Sequence, residues 1–289
     1  MTLRTLSDLE SRLILDLEWR EQALLTLQDV VTILGCSYAH ARKLVHQLVT
    51  KRWLERVGPG KYQLIPADRG LLAIPDMNPL LAGSVLVASY YYAYATANHF
   101  HGLSTQAPAT VYLATPQVKA LTEIRGVEYR CVTLPPNKFF GYQKARVYTA
   151  DVMMAEPEKA VVDSLDKMAY VGGIAGVAQV VHVALQRATR RDRPNPPPSG
   201  APGLDPQRLA DYAARMASHA LVQRLGYLWE RLGGVWAPEV EATLQAGLGQ
   251  AKTYLGPTRQ WGTGGEYNPR WRVVVNVPEH VLLGEIRQA

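Results

Sequence analysis

Several places in the chain carry residue types that could do chemistry. His99 and His101 form a His-x-His pair, a spacing that suits two metal ligands. No cysteine or third histidine accompanies them, so ordinary polar packing is preferred. Glu156, Glu158 and Asp163 cluster about Lys159, a composition reminiscent of metal-dependent nucleases. The acid-x-Lys spacing of such sites is absent, because Lys159 follows Glu156 by three residues. Lys159, Asp163 and Lys167 instead stand four apart, which makes a charged ladder on a helix and a structural, salt-bridged reading. Gly262, Gly264 and Gly265 resemble a phosphate loop only superficially, since no clear strand and helix flank them, and a turn is expected. There is no Gly-x-x-x-x-Gly-Lys-Ser/Thr loop, Gly-x-Ser-x-Gly elbow or His-Glu-x-x-His helix. No residue is assigned a catalytic role, and neither a metal nor a cofactor is expected.

The residues between positions 37 and 65 suit a different chemistry. Ser37, Ala39, His40, Arg42, Lys43, His46 and Gln47 fall within one short stretch, and Arg56 and Lys61 follow. Arg42 and Lys43 could reach guanine edges or phosphates, and Gln47 could read adenine. Ala39 would let the start of its helix approach a groove floor, with Ser37 at that end. His40 and His46 suit base or phosphate contacts, and equally suit exposed polar positions. Charge is unevenly spread along this part of the chain. Residues 1–36 hold Arg4, Arg12 and Arg20 against six acids, a net −3; residues 37–65 hold six bases against Glu55, a net +5. Positive charge gathered in one stretch is the footprint of a nucleic-acid face. A protein-interaction module with a merely solvated basic face is the competing reading.

Two further sets remain open. Arg125, Arg130, Lys138, Lys144 and Arg146, interleaved with Tyr129, Phe139, Phe140 and Tyr142, could form a second nucleic-acid surface. Strands near Tyr129–Leu134 and Arg146–Tyr148 with one solvated face would give the same pattern. Tyr90, Tyr91, Tyr92 and Tyr94 could line a small-molecule pocket from a tyrosine-rich helix, or could simply pack in a core.

Elements must position these residues. Ser7 with Glu10 has capping-box spacing, and Leu9, Leu13, Ile14 and Leu17 form a helical stripe. Ala23–Leu27 reads as a short strand. Thr26 caps a second helix with Leu27, Val30, Val31 and Leu34 on one face. Gly35-Cys36-Ser37 is a tight break, with Cys36 a small packing residue. Ser37 then caps a third helix, whose stripe is Ala41, Leu44, Val45, Leu48 and Val49. Trp53–Val57, Gly58-Pro59-Gly60 and Lys61–Ile65 read as strand, turn and strand. Helix, strand, two helices and a hairpin make a winged helix-turn-helix, whose third helix and wing face DNA.

The chain has 289 residues, enough for about two domains. We expect an α+β chain: a winged helix over 1–68, a linker at 69–79, and a larger mixed α/β domain over 80–289 with a Pro-rich loop at 187–206. Hydrophobic residues are 47%, so wholesale disorder is excluded. The formal charge of +6 allows an anionic partner. Two cysteines exclude a disulfide framework, and MTLRTLSDLE shows no secretory signal, so a cytoplasmic protein is expected. The apolar parts of 77–118 and 168–186 approach a membrane span in length. However, they carry tyrosines, Gln179, His182 and a Gly172-Gly173 pair, and they read as buried helices with no membrane partner.

A resemblance runs through nearly the whole chain in order. The winged helix is followed by Asn98-His99-Phe100-His101-Gly102-Leu103-Ser104-Thr105-Gln106-Ala107-Pro108 and a strand at Thr110–Ala114. Glu158-Lys159-Ala160-Val161-Val162-Asp163, Tyr170-Val171-Gly172-Gly173, the helix Gln223–Glu230 and the strand Trp271–Asn276 come after. This series resembles the AbiEi antitoxins of bacterial type IV toxin–antitoxin systems. Ser104 and Ala160 stand where that pattern has threonine, and the Pro-rich insertion departs from it. The resemblance implies a transcriptional autorepressor that binds inverted repeats in double-stranded DNA at its own promoter. It also implies antagonism of a co-encoded nucleotidyltransferase toxin without a stable complex.

Overall fold

A computed structural model describes residues 5–67, 78–124, 126–147, 150–191, 203–284 and 286. It is an α+β chain with several sheets, divided into two compact units. The first unit holds residues 1–90, 122–129 and 144–153, and the second holds the rest. The first therefore extends past the winged helix expected at 1–68 and takes in two later segments. Most of the linker expected at 69–79 lies outside the described residues.

The first unit starts with helix α1 (Asp8–Trp19), where the backbone N–H of Ser7 donates to Glu10 at 2.7 Å. Its buried face is Glu10, Leu13, Ile14 and Leu17, while Leu9 is 43% exposed. The expected stripe is thus corrected at one position. Glu10 can be buried because the Lys51 ammonium meets its carboxylate at 2.6 Å. Strand β1 (Leu24–Thr26) leads into α2 (Leu27–Leu34), whose Thr26 N–H donates to Asp29 at 2.6 Å. Gly35 ends α2 at φ +64°, a left-handed conformation that glycine adopts without a Cβ penalty. Helix α3 (Tyr38–Thr50) follows, and then the hairpin of β2 (Leu54–Gly58) and β3 (Lys61–Leu64). The sheet order is β1-β3-β2, antiparallel throughout. The element order of helix, strand, two helices and hairpin is the one read from the sequence, and the pairing of β1 with β3 adds to it. Leu13, Ile14, Leu17, Leu25, Val30, Ala41, Leu44, Val45, Leu48, Leu54 and Leu64 form its core, with Cys36 partly buried against it. Helix α4 (Pro79–Gly83) is capped by Asn78.

The second unit begins with β4 (Tyr91–Tyr92), helix α5 (Tyr94–Phe100) and β5 (Thr110–Thr115). The tyrosine-rich helix expected here is absent. Tyr91 and Tyr92 form a central strand, and Tyr94, at φ +54°, turns the chain into α5. Of the later strands, β6 (Thr122–Ile124) belongs to the first unit, and β7 (Val127–Thr133), β8 (Tyr142–Val147) and β9 (Ala150–Ala155) are each divided between the units. The sheet runs β6-β7-β5-β4-β9-β8, with Tyr92 paired to Leu113 antiparallel and to Met154 parallel.

Helix α6 (Pro157–Asp166) starts with Pro157 at its first position, as its sequence predicts, and is buried on nearly every side. Helix α7 (Gly173–Arg191) continues five residues into the segment read as a Pro-rich loop at 187–206, and α8 (Pro206–Arg215) starts on its last residue. Residues 192–202, with most of the prolines, lie outside the described residues. Helices α9 (His219–Arg231) and α10 (Pro238–Ala246) come next. Strand β10 (Thr253–Tyr254), helix α11 (Thr258–Trp261), strands β11 (Glu266–Asn268) and β12 (Val273–Val275), and helix α12 (Glu279–Gly284) complete the unit. The small sheet has the order β10-β12-β11. Asn276 accepts from Gly256 N–H and donates to the Gly262 carbonyl, both at 2.9 Å, so the glycine run is a stitched turn. No helix of the described residues is long and apolar enough to cross a membrane.

Candidate nucleic-acid interface

Helix α3 owes its outward face to the packing of its inward one. Ala41, Leu44, Val45 and Leu48 bind it to the core, which leaves Ala39, His40, Arg42, Lys43, His46 and Gln47 exposed. Ser37 holds the helix start, its Oγ accepting from His40 N–H at 3.3 Å. Ser37 therefore has a capping role at the place where a contact was expected.

A hollow of about 760 Å3 opens between α3 and the wing. Ala39, Arg42, Lys43 and His46 line it from the helix, and Arg56 and Gly60 line it from the hairpin. The fold thus brings together five of the nine expected positions across a gap in sequence. His40 and Gln47 are exposed on α3 but outside the hollow. Lys61 departs from the expected wing contact, because its ammonium donates to the Val85 carbonyl at 2.7 Å. Lys61 is not among the residues lining the hollow.

Two tyrosines that the charge pattern does not single out also line the hollow. Tyr38, 57% exposed, precedes Arg42 by one helical turn, and Tyr62 pairs across the hairpin with Arg56. The i,i+4 spacing in the sequence puts Tyr38 on the Arg42 side of the helix. Asp29 caps α2, and Glu10 holds Lys51. Arg42 and Lys43 make no ion pair among the described residues. Their charge is therefore open to an anionic partner.

No protein-family model and no curated protein matches the chain. Among solved structures, it is similar to the crystal structure of RV2827C protein from Mycobacterium tuberculosis, at 16% identity and a TM-score of 0.58. The match covers 98% of this chain and 96% of that one. The two chains share a fold.

The other candidate groups are placed differently. Arg125 lies outside the described residues. Arg130 is half-buried in β7, and Lys138 is bound to Asp166 at 2.7 Å. Lys144 is exposed, whereas Arg146 pairs with Glu21 and Asp151. The interleaved aromatics are packed rather than offered to solvent. Tyr129 is fully buried, and Tyr142 stacks on Tyr91 at 5.0 Å and 11°.

The Glu156, Glu158 and Asp163 carboxylates go to separate partners. Glu156 accepts from the Tyr212 hydroxyl, Glu158 from Asp205 N–H, and Asp163 from Lys159 and Tyr91. Lys159 and Asp163 are buried within α6, while Lys167 is exposed beyond its end, which breaks the expected ladder. Burial pushes the Asp163 carboxyl up, and the Lys159 ammonium pulls it back. Tyr91 joins the two, accepting from Lys159 at 2.9 Å and donating to Asp163. His99 is exposed, while His101 Nε2 meets the Ala155 carbonyl at 2.6 Å, so Nε2 carries the proton. No group of three His, Cys, Asp or Glu suited to a metal occurs among the described residues.

Proposed function

We propose that this chain is a sequence-specific DNA-binding repressor that acts at its own promoter as an AbiEi-like antitoxin, with no catalytic step of its own. The observation carrying the reading is the unpaired basic face of α3, opposed by Arg56 and Tyr62 of the wing across one hollow. A helix face with free Arg and Lys, beside a β-hairpin, supplies phosphate contacts for affinity and base-edge contacts for specificity. Arg42 and Lys43 take the groove floor or its phosphates, His46 and Gln47 lie further along the same helix, and Arg56 takes the flanking backbone.

The antitoxin half rests on the ordered motifs from Asn98 to Asn276, which resemble the AbiEi series. It implies that the chain opposes a co-encoded nucleotidyltransferase toxin without holding it in a stable complex. Two assays separate the halves. A gel shift with the chain's own upstream DNA tests repression; co-expression with a nucleotidyltransferase encoded beside it tests rescue of growth. Binding lost in Arg42→Ala/Lys43→Ala with rescue retained supports separate roles. Operator affinity unchanged in that variant contradicts the DNA reading.

A further inference from the structure

A second hollow, of about 330 Å3, opens within the second unit. It lies where the chain leaving α5 meets the bend that enters α7. Asn98, Gln106, Tyr112, Tyr170, Gly172 and Gln179 are among its walls. Its size falls in the range of small-molecule sites, about 300–1,000 Å3. Among the described residues, no Lys, Arg, His, Asp or Glu lines it.

The polar groups in it are buried and held in place. Asn98 is 1% exposed, and its Nδ2 donates to Ser164 Oγ at 2.8 Å. Ser164 in turn donates to the Ala160 carbonyl at 2.7 Å, so it can only accept from Asn98. The carboxamide is thereby fixed, and Oδ1 is a buried acceptor with no hydrogen-bond partner among the described residues. An acceptor in that state is unfavourable, and a donor in the hollow meets it once the side chain shifts toward the opening. Gln179, 7% exposed, adds a second carboxamide from α7. Tyr112 and Tyr170, 5.1 Å apart and tilted by 34°, supply aromatic surface, and Tyr94 meets both edge-on. The bend beside them is tight: a Cβ at Gly176 would fall 1.7 Å from the Val171 carbonyl oxygen.

We propose that this hollow binds a neutral, flat heterocycle with N–H donors on its edge, a nucleobase or nucleoside. A phosphate or carboxylate carried into the lining would find no counter-charge, which disfavours anions. Carboxamides present both donor and acceptor to the edge of a base, and tyrosine rings offer stacking. The inference goes beyond the DNA-binding reading and does not depend on it, because none of these residues lines the basic hollow.

The test is isothermal titration of the full chain with adenosine, guanosine, cytidine, uridine, their free bases and the nucleoside 5′-monophosphates. Gln179→Leu and Ala169→Trp are titrated in parallel. Ala169 is exposed at the rim, so its replacement blocks entry without touching the core, even if Gln179→Leu fails to fold. At least one nucleoside or base is expected to saturate with a Kd below about 100 µM, weakened about tenfold or more by either variant. The proposal is overturned by no saturable binding up to about 1 mM, by equal affinity in the parent and both variants, or by a monophosphate binding more tightly than its nucleoside.

Discussion

Lys159 is fully buried, and three partners surround its side-chain nitrogen. Asp163 pairs with it one turn along α6, the Tyr91 hydroxyl accepts from it, and the Phe140 ring lies under it at 4.9 Å. Removing one member of a buried pair leaves the other charge uncompensated, at about 3–5 kcal/mol. Lys159→Met is therefore expected to lower stability to urea by that amount, and Lys159→Met/Asp163→Leu to regain most of it. If the double variant is no more stable than the single, the pair is not the cause. In the basic hollow the argument concerns binding. Arg42→Ala should weaken operator binding by about 1–3 kcal/mol if Arg42 reads a base edge. If it touches only phosphate, the salt slope should instead fall by about 1. Lys61→Gln should change affinity little, because its ammonium serves Val85. A loss matching that of Arg42→Ala would return Lys61 to the interface.

At the scale of elements, legibility followed locality. Caps and stripes are short-range signals, so α1, α2, α3 and the hairpin stand where Ser7, Thr26, Ser37 and Gly58-Pro59-Gly60 place them. Leu9 and Glu10 exchanged roles because a residue 41 positions away, Lys51, decides which of them can be buried. The tyrosine run reads as helix in the sequence and is a strand in the fold for a similar reason. Pairing with β5 and β9, unseen in the local pattern, makes Tyr91 and Tyr92 a strand. Helix α9 carries another long-range constraint. A Cβ at Gly226 would lie 2.1 Å from the Trp271 ring, and that ring is fully buried with its Nε1 donating to Glu230 at 2.8 Å. Gly226→Ala is expected to cost about 1–3 kcal/mol by overpacking, read as a lower urea midpoint with an unchanged m-value. An unchanged midpoint would mean that Trp271 swings aside at little cost.

For the whole molecule, the α+β class and the basic polarity of residues 37–65 were readable in advance, while the extent of the units was not. Segments 122–129 and 144–153 belong with the N-terminal unit through contacts distant in sequence, such as Arg146 with Glu21. Of the candidate site, α3 was legible residue by residue, because one helix carries it. Tyr62 and the diversion of Lys61 depended on the hairpin's register and on Val85. Global stability should also depend on pH through His101. Burial pushes its imidazole below the ordinary value; nearby Arg187 adds to this, and the Ala155 carbonyl opposes it. The unfolded chain then binds a proton that the folded chain resists, so the stabilising effect is complete above about pH 6.5 and is lost as pH falls from there through the lower folded-state value. His101→Gln should flatten the decline in urea midpoint between about pH 7.5 and 5.5, with a residual slope from His182, lowered by burial too. A decline as steep as the parent's would place the titration elsewhere.

The central claim is that the free basic face of α3 reads DNA. It is tested most directly by fluorescence anisotropy of the full chain against its own upstream duplex and a scrambled one, across a series of salt concentrations. The account predicts tighter binding to the upstream duplex, a steep fall in affinity with salt, and loss of that preference in Arg42→Ala/Lys43→Ala. Equal, weak binding to both duplexes, unchanged by the double substitution, would contradict it.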